Sequence, residues 1–277
     1  MTYLPPINAK VTEFSTINQY LSYMQGLADE ENMPYVNVYL DVGAWMNSYK
    51  LVWNHFPKIG DFHFIKENFG VTGKLVTASG FEDAVFQAGG CSTGNLHGVL
   101  AGSHYIRAWT VHSAFTEALE RLLFERFITE SGEEIPIVFH NASQEPFQNK
   151  SEIYARVKLL LKVLDFKNRV RNDKLGKTAQ FWLSFYLDLM SIQQAAHLAV
   201  QENDFEVRHS AWKQFLPFYV ALNITNYARC ASYYVGILDN IDLLYPGARQ
   251  LLSDNGLSVQ AQDRYLLQTA VDQRGEQ

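Results

Sequence analysis

Residues 38–64 read VYLDVGAWMNSYKLVWNHFPKIGDFHF. The β-branched and aromatic run YVNVYL at 35–40 predicts a short strand that ends on Asp41. Helical spacing follows over 44–56 through Trp45, Tyr49, Val52, Trp53 and Phe56, and Pro57 stops it. Residues 58–64 read as a second, weaker strand, with Ile59, Asp61 and His63 on one face and Phe62 and Phe64 on the other. Upstream, Phe14, Ile17, Tyr20, Leu21, Met24 and Leu27 fall at helical intervals. The order helix, strand, helix, strand predicts parallel strands joined by a right-handed crossover. A carboxylate at the carboxyl end of such a strand lies where α/β sheets place their chemistry. The same carboxylate serves equally well as a cap for the helix that follows.

Working outward, residues 80–105 hold six glycines and lead into a helical pattern over 105–127. Residues 129–150 read as a loop with one strand, IPIVFH. A helix over 151–166 is expected to turn Ile153, Val157, Leu160, Leu161 and Leu164 inward, followed by the basic connection KNRVRNDKLGK. The strongest helical signal covers 181–200, with Trp182, Phe185, Leu189, Ile192 and Ala196 on one stripe. A second, over 207–238, must kink or break at Pro217. The expected fold class is an α-rich α/β protein: a partial RNase H-like parallel-sheet core at 1–80, a helical region at 81–255 and a C-terminal segment at 256–277 that returns to the core.

Composition narrows the function classes. With 277 residues, 47% hydrophobic and 19% charged, the chain is an ordered globular protein. A net charge of −6 excludes nucleic-acid binding by bulk charge and leaves only a local basic stripe for it. Two cysteines, Cys91 and Cys230, supply neither a disulfide framework nor a zinc cluster. No run has the length or apolarity of a membrane span, so the expected location is inside the cell, the nucleus included.

Several motifs lead nowhere. GVTGKL at 70–75 and GKT at 176–178 lack the first glycine of a phosphate loop, with Asn68 and Arg171 in its place. His97, His104 and His112 are seven and eight apart, which is not the i, i+4 spacing of a zinc helix. A pocket formed by His63, His104 and His112 would instead suggest an independent hydrolase. Lys167, Arg169, Arg171 and Lys174 could track a phosphate backbone, although a solvated charged face is the commoner use of such a run.

The run DVGAWMNSYKLVWNHFPKIGDFH resembles the central part of RNase H-like transposases of the Mutator and hAT kind. Over nearly the whole chain, LPPINAKVTEFSTINQYL, VYLD, GDFH, LAGSHYIRA, FWLSFYLDL, LPFYVALNITNYAR and DQRGEQ are similar to a family of uncharacterised invertebrate proteins associated with mobile elements. Asp61 departs from that pattern, which has glycine there, and Asn223 and Ile224 replace its Asp-His pair. The resemblance implies Asp41 and Glu276 as catalytic carboxylates holding Mg2+ or Mn2+, with Asp61 and His63 in support and DNA as substrate. Two such ions would activate a water or 3′-hydroxyl and stabilise the leaving oxygen. With no first aspartate before the opening helix, the chain is expected to be catalytically incomplete, a fragment or a shortened descendant. The alternative expectation is a non-catalytic helical binding or scaffolding protein, acting as a homo-oligomer or with a protein partner.

Overall fold

The computed structural model describes residues 13–33, 36–48, 55–132, 150–172, 174–260 and 268–270. Most of them are helical. The first sheet is a two-stranded parallel pair, β1 (Val36–Leu40) and β2 (His55–Ile59), in register from Val36 opposite His55 to Leu40 opposite Ile59. A second pair, β3 (Ser258–Gln260) and β4 (Gln268–Ala270), is antiparallel. The expected α-rich character and the parallel pair are both present. The described strands form two-stranded sheets and carry no sign of the larger RNase H sheet.

Contacts divide the chain into two compact units that do not follow linear order. The first comprises residues 1–74, 101–103 and 192–277, and the second 75–100 and 104–191. In the first unit, α1 (Phe14–Glu30) packs Ile17 and Leu21 against Val38 of β1 and Ala44 of α2 (Val42–Ser48). The segment that follows β2 corrects the sequence reading. Asp61 and His63 stand in the first turn of α3 (Asp61–Val76) and not on a strand. Phe64, Ile65, Asn68, Phe69, Thr72 and Val76 are buried at intervals of one, three and four, so helical burial replaces the alternation expected of 58–64. Of the helix expected over 44–56, α2 supplies the part up to Ser48, residues 49–54 lie outside the described residues, and Phe56 belongs to β2. Pro57 is tolerated within β2 because a strand in a two-stranded sheet has an unpaired edge.

The rest of the first unit comes from the C-terminal half. α10 (Phe205–Ala221) contains Pro217 without ending there. The break comes at Leu222–Ile224, where Asn223 adopts a positive φ of 51°, and α11 (Thr225–Asp239) folds back on α10. Buried Phe215 and Tyr219 lie on either side of Pro217, and their contacts outweigh one missing amide donor. Trp212 stacks on Phe64 at 4.1 Å between ring centroids and meets Tyr234 edge-on at 4.9 Å. Short helices α12 (Ile241–Leu244) and α13 (Ala248–Leu251) lead to β3. There Asn203 accepts the backbone amides of Leu257 and Ser258 at 2.9 and 3.1 Å.

The second unit is built on α6 (Tyr105–Ser131) and α7 (Lys150–Arg171), with α4 (Phe81–Gln87), α5 (Thr93–Leu100) and α8 (Lys177–Phe181) around them. Between α8 and α9 (Asp188–Glu202), residues Trp182–Leu187 form a π-helical turn. The wider turn shifts the burial stripe by about one residue. Leu183, Tyr186 and Leu187 are buried while Phe185 is exposed, contrary to the stripe expected through Trp182 and Phe185. α7 departs further from expectation. Among its described side chains Leu159, Phe166 and Val170 are buried, and the residues expected inward face solvent. The strand expected at 135–140 lies outside the described residues.

Gly102 is the tightest point of the 101–103 segment that joins the first unit. A methyl group there would meet the Lys66 carbonyl oxygen well inside van der Waals contact and Phe69 Cβ at 3.1 Å, at a φ of +71°. Gly132 has a similar φ of +62° but open space around it. Both alanine variants carry the left-handed strain, and only Gly102→Ala adds overpacking. Chemical denaturation is expected to show Gly102→Ala less stable than Gly132→Ala by about 1–3 kcal/mol.

Candidate functional site

The charged residues of the expected site are used in three different ways. Asp61 is fully buried at the start of α3, and Arg208 reaches it from α10. Arg208 Nε donates to Asp61 Oδ1, and Arg208 Nη2 donates to the Tyr234 hydroxyl at 3.0 Å. Lys58, also fully buried, places Nζ 3.7 Å from Asp61 Oδ2 and donates to the Tyr39 hydroxyl at 2.8 Å. Burial alone would lower the Arg208 pKa, but Asp61 and Tyr234 outweigh it and raise it above the ordinary arginine range. Burial also raises the Tyr234 pKa, so its phenol keeps its proton. Trp45 and Trp212 meet the Tyr234 ring at 5.5 and 4.9 Å, placing this cluster among aromatic side chains. Asp61 is therefore held by two cations inside the core.

Asp41 is exposed and follows β1, opposite the Gly60 that follows β2. Its Oδ1 accepts the Ala44 amide at 2.7 Å, and its carbonyl accepts the Trp45 amide at 2.9 Å, which makes it the N-cap of α2. His63 is half-buried, with its ring edge-on to Phe62 at 5.5 Å. Glu276 lies outside the described residues. Among the described residues, no three His, Cys, Asp or Glu side chains converge in a way that could hold a metal ion.

The basic run lies mostly on α7 and is largely committed to acids. Lys167 donates to Glu120 at 2.6 Å, Arg171 grips Asp188 through Nη2 at 2.6 Å and Nε at 2.9 Å, and Arg169 lies 3.8 Å from both Glu130 and Asp165. Lys174 is exposed beyond the helix end.

Of the histidines, His112 is buried on α6. Its Nδ1 lies 3.1 Å from the Tyr186 hydroxyl, and its ring stacks on Phe81 at 5.0 Å. Burial lowers its pKa to about 3. His104, in contrast, is exposed just before α6.

The opposite of this closure is the outer face of α7. Ile153, Tyr154, Val157, Leu160, Leu161 and Leu164 are 43–72% exposed. Beside them a cavity of about 450 Å³ is lined by Phe127, Leu161, Lys158, Lys162, Asp165 and Arg169, with Ser131 at its edge. A smaller, apolar cavity of about 210 Å³ lies between α6 and the π-helical turn, lined by residues that include Leu119, Leu123 and Trp182.

A family described as a domain of unknown function (DUF8702) matches residues 1–277. The chain belongs to the DUF8702 family. No curated protein and no solved structure matches it. Among its described residues, no helix is long and apolar enough to cross a membrane.

Sequence reading brought Asp61 and His63 to one segment but missed Arg208, 147 residues away, as the Asp61 partner. The signal lies in FEVRHSAWKQF at 205–215, where Phe205, Arg208, Ala211, Trp212 and Phe215 share one helical face in this DUF8702 chain. An arginine on an apolar face asks for a buried acid.

Removing one member of a buried ion pair leaves the other uncompensated. Arg208→Met is expected to destabilise by about 3–5 kcal/mol in urea melts. Replacing the ionic set together, as Lys58→Met, Asp61→Leu and Arg208→Met, should recover most of that loss. An unchanged midpoint in Arg208→Met would show that the pair does not hold the fold.

His112 gives a pH signature. Above pH 6.5 it is neutral in both folded and unfolded chains and contributes no slope. Below 6.5 the unfolded chain takes up a proton that the folded chain refuses until about pH 3, so stability falls with pH. The slope is about 1.4 kcal/mol per pH unit for one proton. Melts of His112→Gln between pH 6 and 4 should show a slope shallower by about one proton.

Proposed function

We propose that this DUF8702 chain is a non-catalytic helical binding protein that meets its partner through the outer face of α7. The exposed strip carries this reading. Single exposed apolar residues are normal on a protein surface, but six in one line are a patch of the kind that marks an interaction site. The carboxylates support the same conclusion. Asp61 is neutralised by Arg208 and Lys58, and Asp41 caps α2. Neither arrangement resembles an open ligand set for a divalent ion, which draws on oxygen ligands facing a common point.

A second reading, a mobile-element-derived relative of RNase H-like DNA transposases, is favoured by one observation. β1 and β2 are parallel and end together, and an aspartate follows each within two residues. In that reading Asp41 and Glu276 hold Mg2+ or Mn2+, and the ion activates a water or a 3′-hydroxyl for attack on DNA. Arg169, Arg171, Lys167 and Lys174 would then follow the phosphates.

Two measurements separate the readings. Titration calorimetry with magnesium or manganese is expected to give the same result for the native chain and Asp41→Asn. A metal site that disappears in Asp41→Asn would favour the nuclease. The second measurement uses an environment-sensitive apolar dye with Val157→Asp/Leu161→Asp. Dye binding should fall while the melting temperature stays within a few degrees, since surface substitutions usually change stability by less than about 0.5 kcal/mol each. A collapse in stability would mean that the strip is packed inside the fold, and the binding reading would fail.

A further inference from the structure

We draw no further inference here: the strongest candidate, the exposed apolar face of α7 that runs from Ile153 to Leu164, belongs to the surface already described, and nothing in the structure shows what covers it.

Discussion

The first unit depends on a charge placed where charge is most costly. Asp61 opens α3 directly after the parallel pair, with no solvent contact, and its neutralisation requires α10 to deliver Arg208 from the other end of the sequence. Moving two such ions out of water costs several kcal/mol each, and only close geometry with further hydrogen bonds recovers that cost. Here Tyr234 from α11 takes a second Arg208 donor, and Lys58 from β2 approaches the second Asp61 oxygen. One polar cluster thereby fixes the relative position of β2, α3, α10 and α11. An apolar cluster of the same volume could slide. A carboxylate that needs this particular arginine cannot, and this is the use of a buried pair best supported on physical grounds.

The surrounding packing agrees with that constraint. Phe64 lies three residues after Asp61 and stacks on Trp212, four residues after Arg208, so the two helices that share the ion pair also share an aromatic contact one turn further on. Asn68, the next residue on the same face, accepts from Tyr219, while Gln193 of α9 donates to the Ile65 carbonyl at 2.6 Å. Donors from other helices thus reach the buried face of α3 at Asp61, the Ile65 carbonyl and Asn68, while Thr72 bonds back to the Asn68 carbonyl within α3 itself. A face built this way is specific before it is stable, because each unmatched group would cost about 1–3 kcal/mol.

Much of the local structure was legible in the sequence, and the reasons for the failures are physical. α1, β1, α6 and α9 follow their apolar periodicity closely enough to be read directly. Asp41 at a strand end was legible too, together with its capping alternative. The segment around Asp61 was misread because Ile59, Asp61 and His63 alternate with Phe62 and Phe64 over a window too short to distinguish strand from helix. The helix becomes visible only when Ile65, Asn68, Phe69 and Thr72 are included. Pro217 does not end α10, and the break in the 207–238 stretch comes at Leu222–Ile224 instead. The proline penalty is local, whereas the buried contacts of α10 are summed over its whole length. Arg208 was missed because no local rule links residues 147 apart. The π-helical turn at Trp182–Leu187 shifted a stripe that was otherwise correctly seen, since periodicity assumes an unbroken turn length.

α7 shows a different limit. Its sequence has apolar residues on two faces, and a hydropathy pattern does not say which face the protein keeps for itself. The choice follows from the neighbours. Phe127 on α6 offers an aromatic surface to Phe166, and Glu120 and Glu130 on α6 lie within reach of Lys167 and Arg169. These contacts orient α7 so that Leu159, Phe166 and Val170 turn inward, which leaves the more regular seam outside. Rotating the helix about its axis would move Lys167 and Arg171 away from the acids they pair with. The ion pairs are individually weak at a surface, about 0–1 kcal/mol each. They nonetheless act together on a rigid helix, and the alternative orientation would sacrifice all of them at once. The seam of Ile153, Val157, Leu160 and Leu164 is what this orientation leaves exposed, and the proposed binding role rests on it.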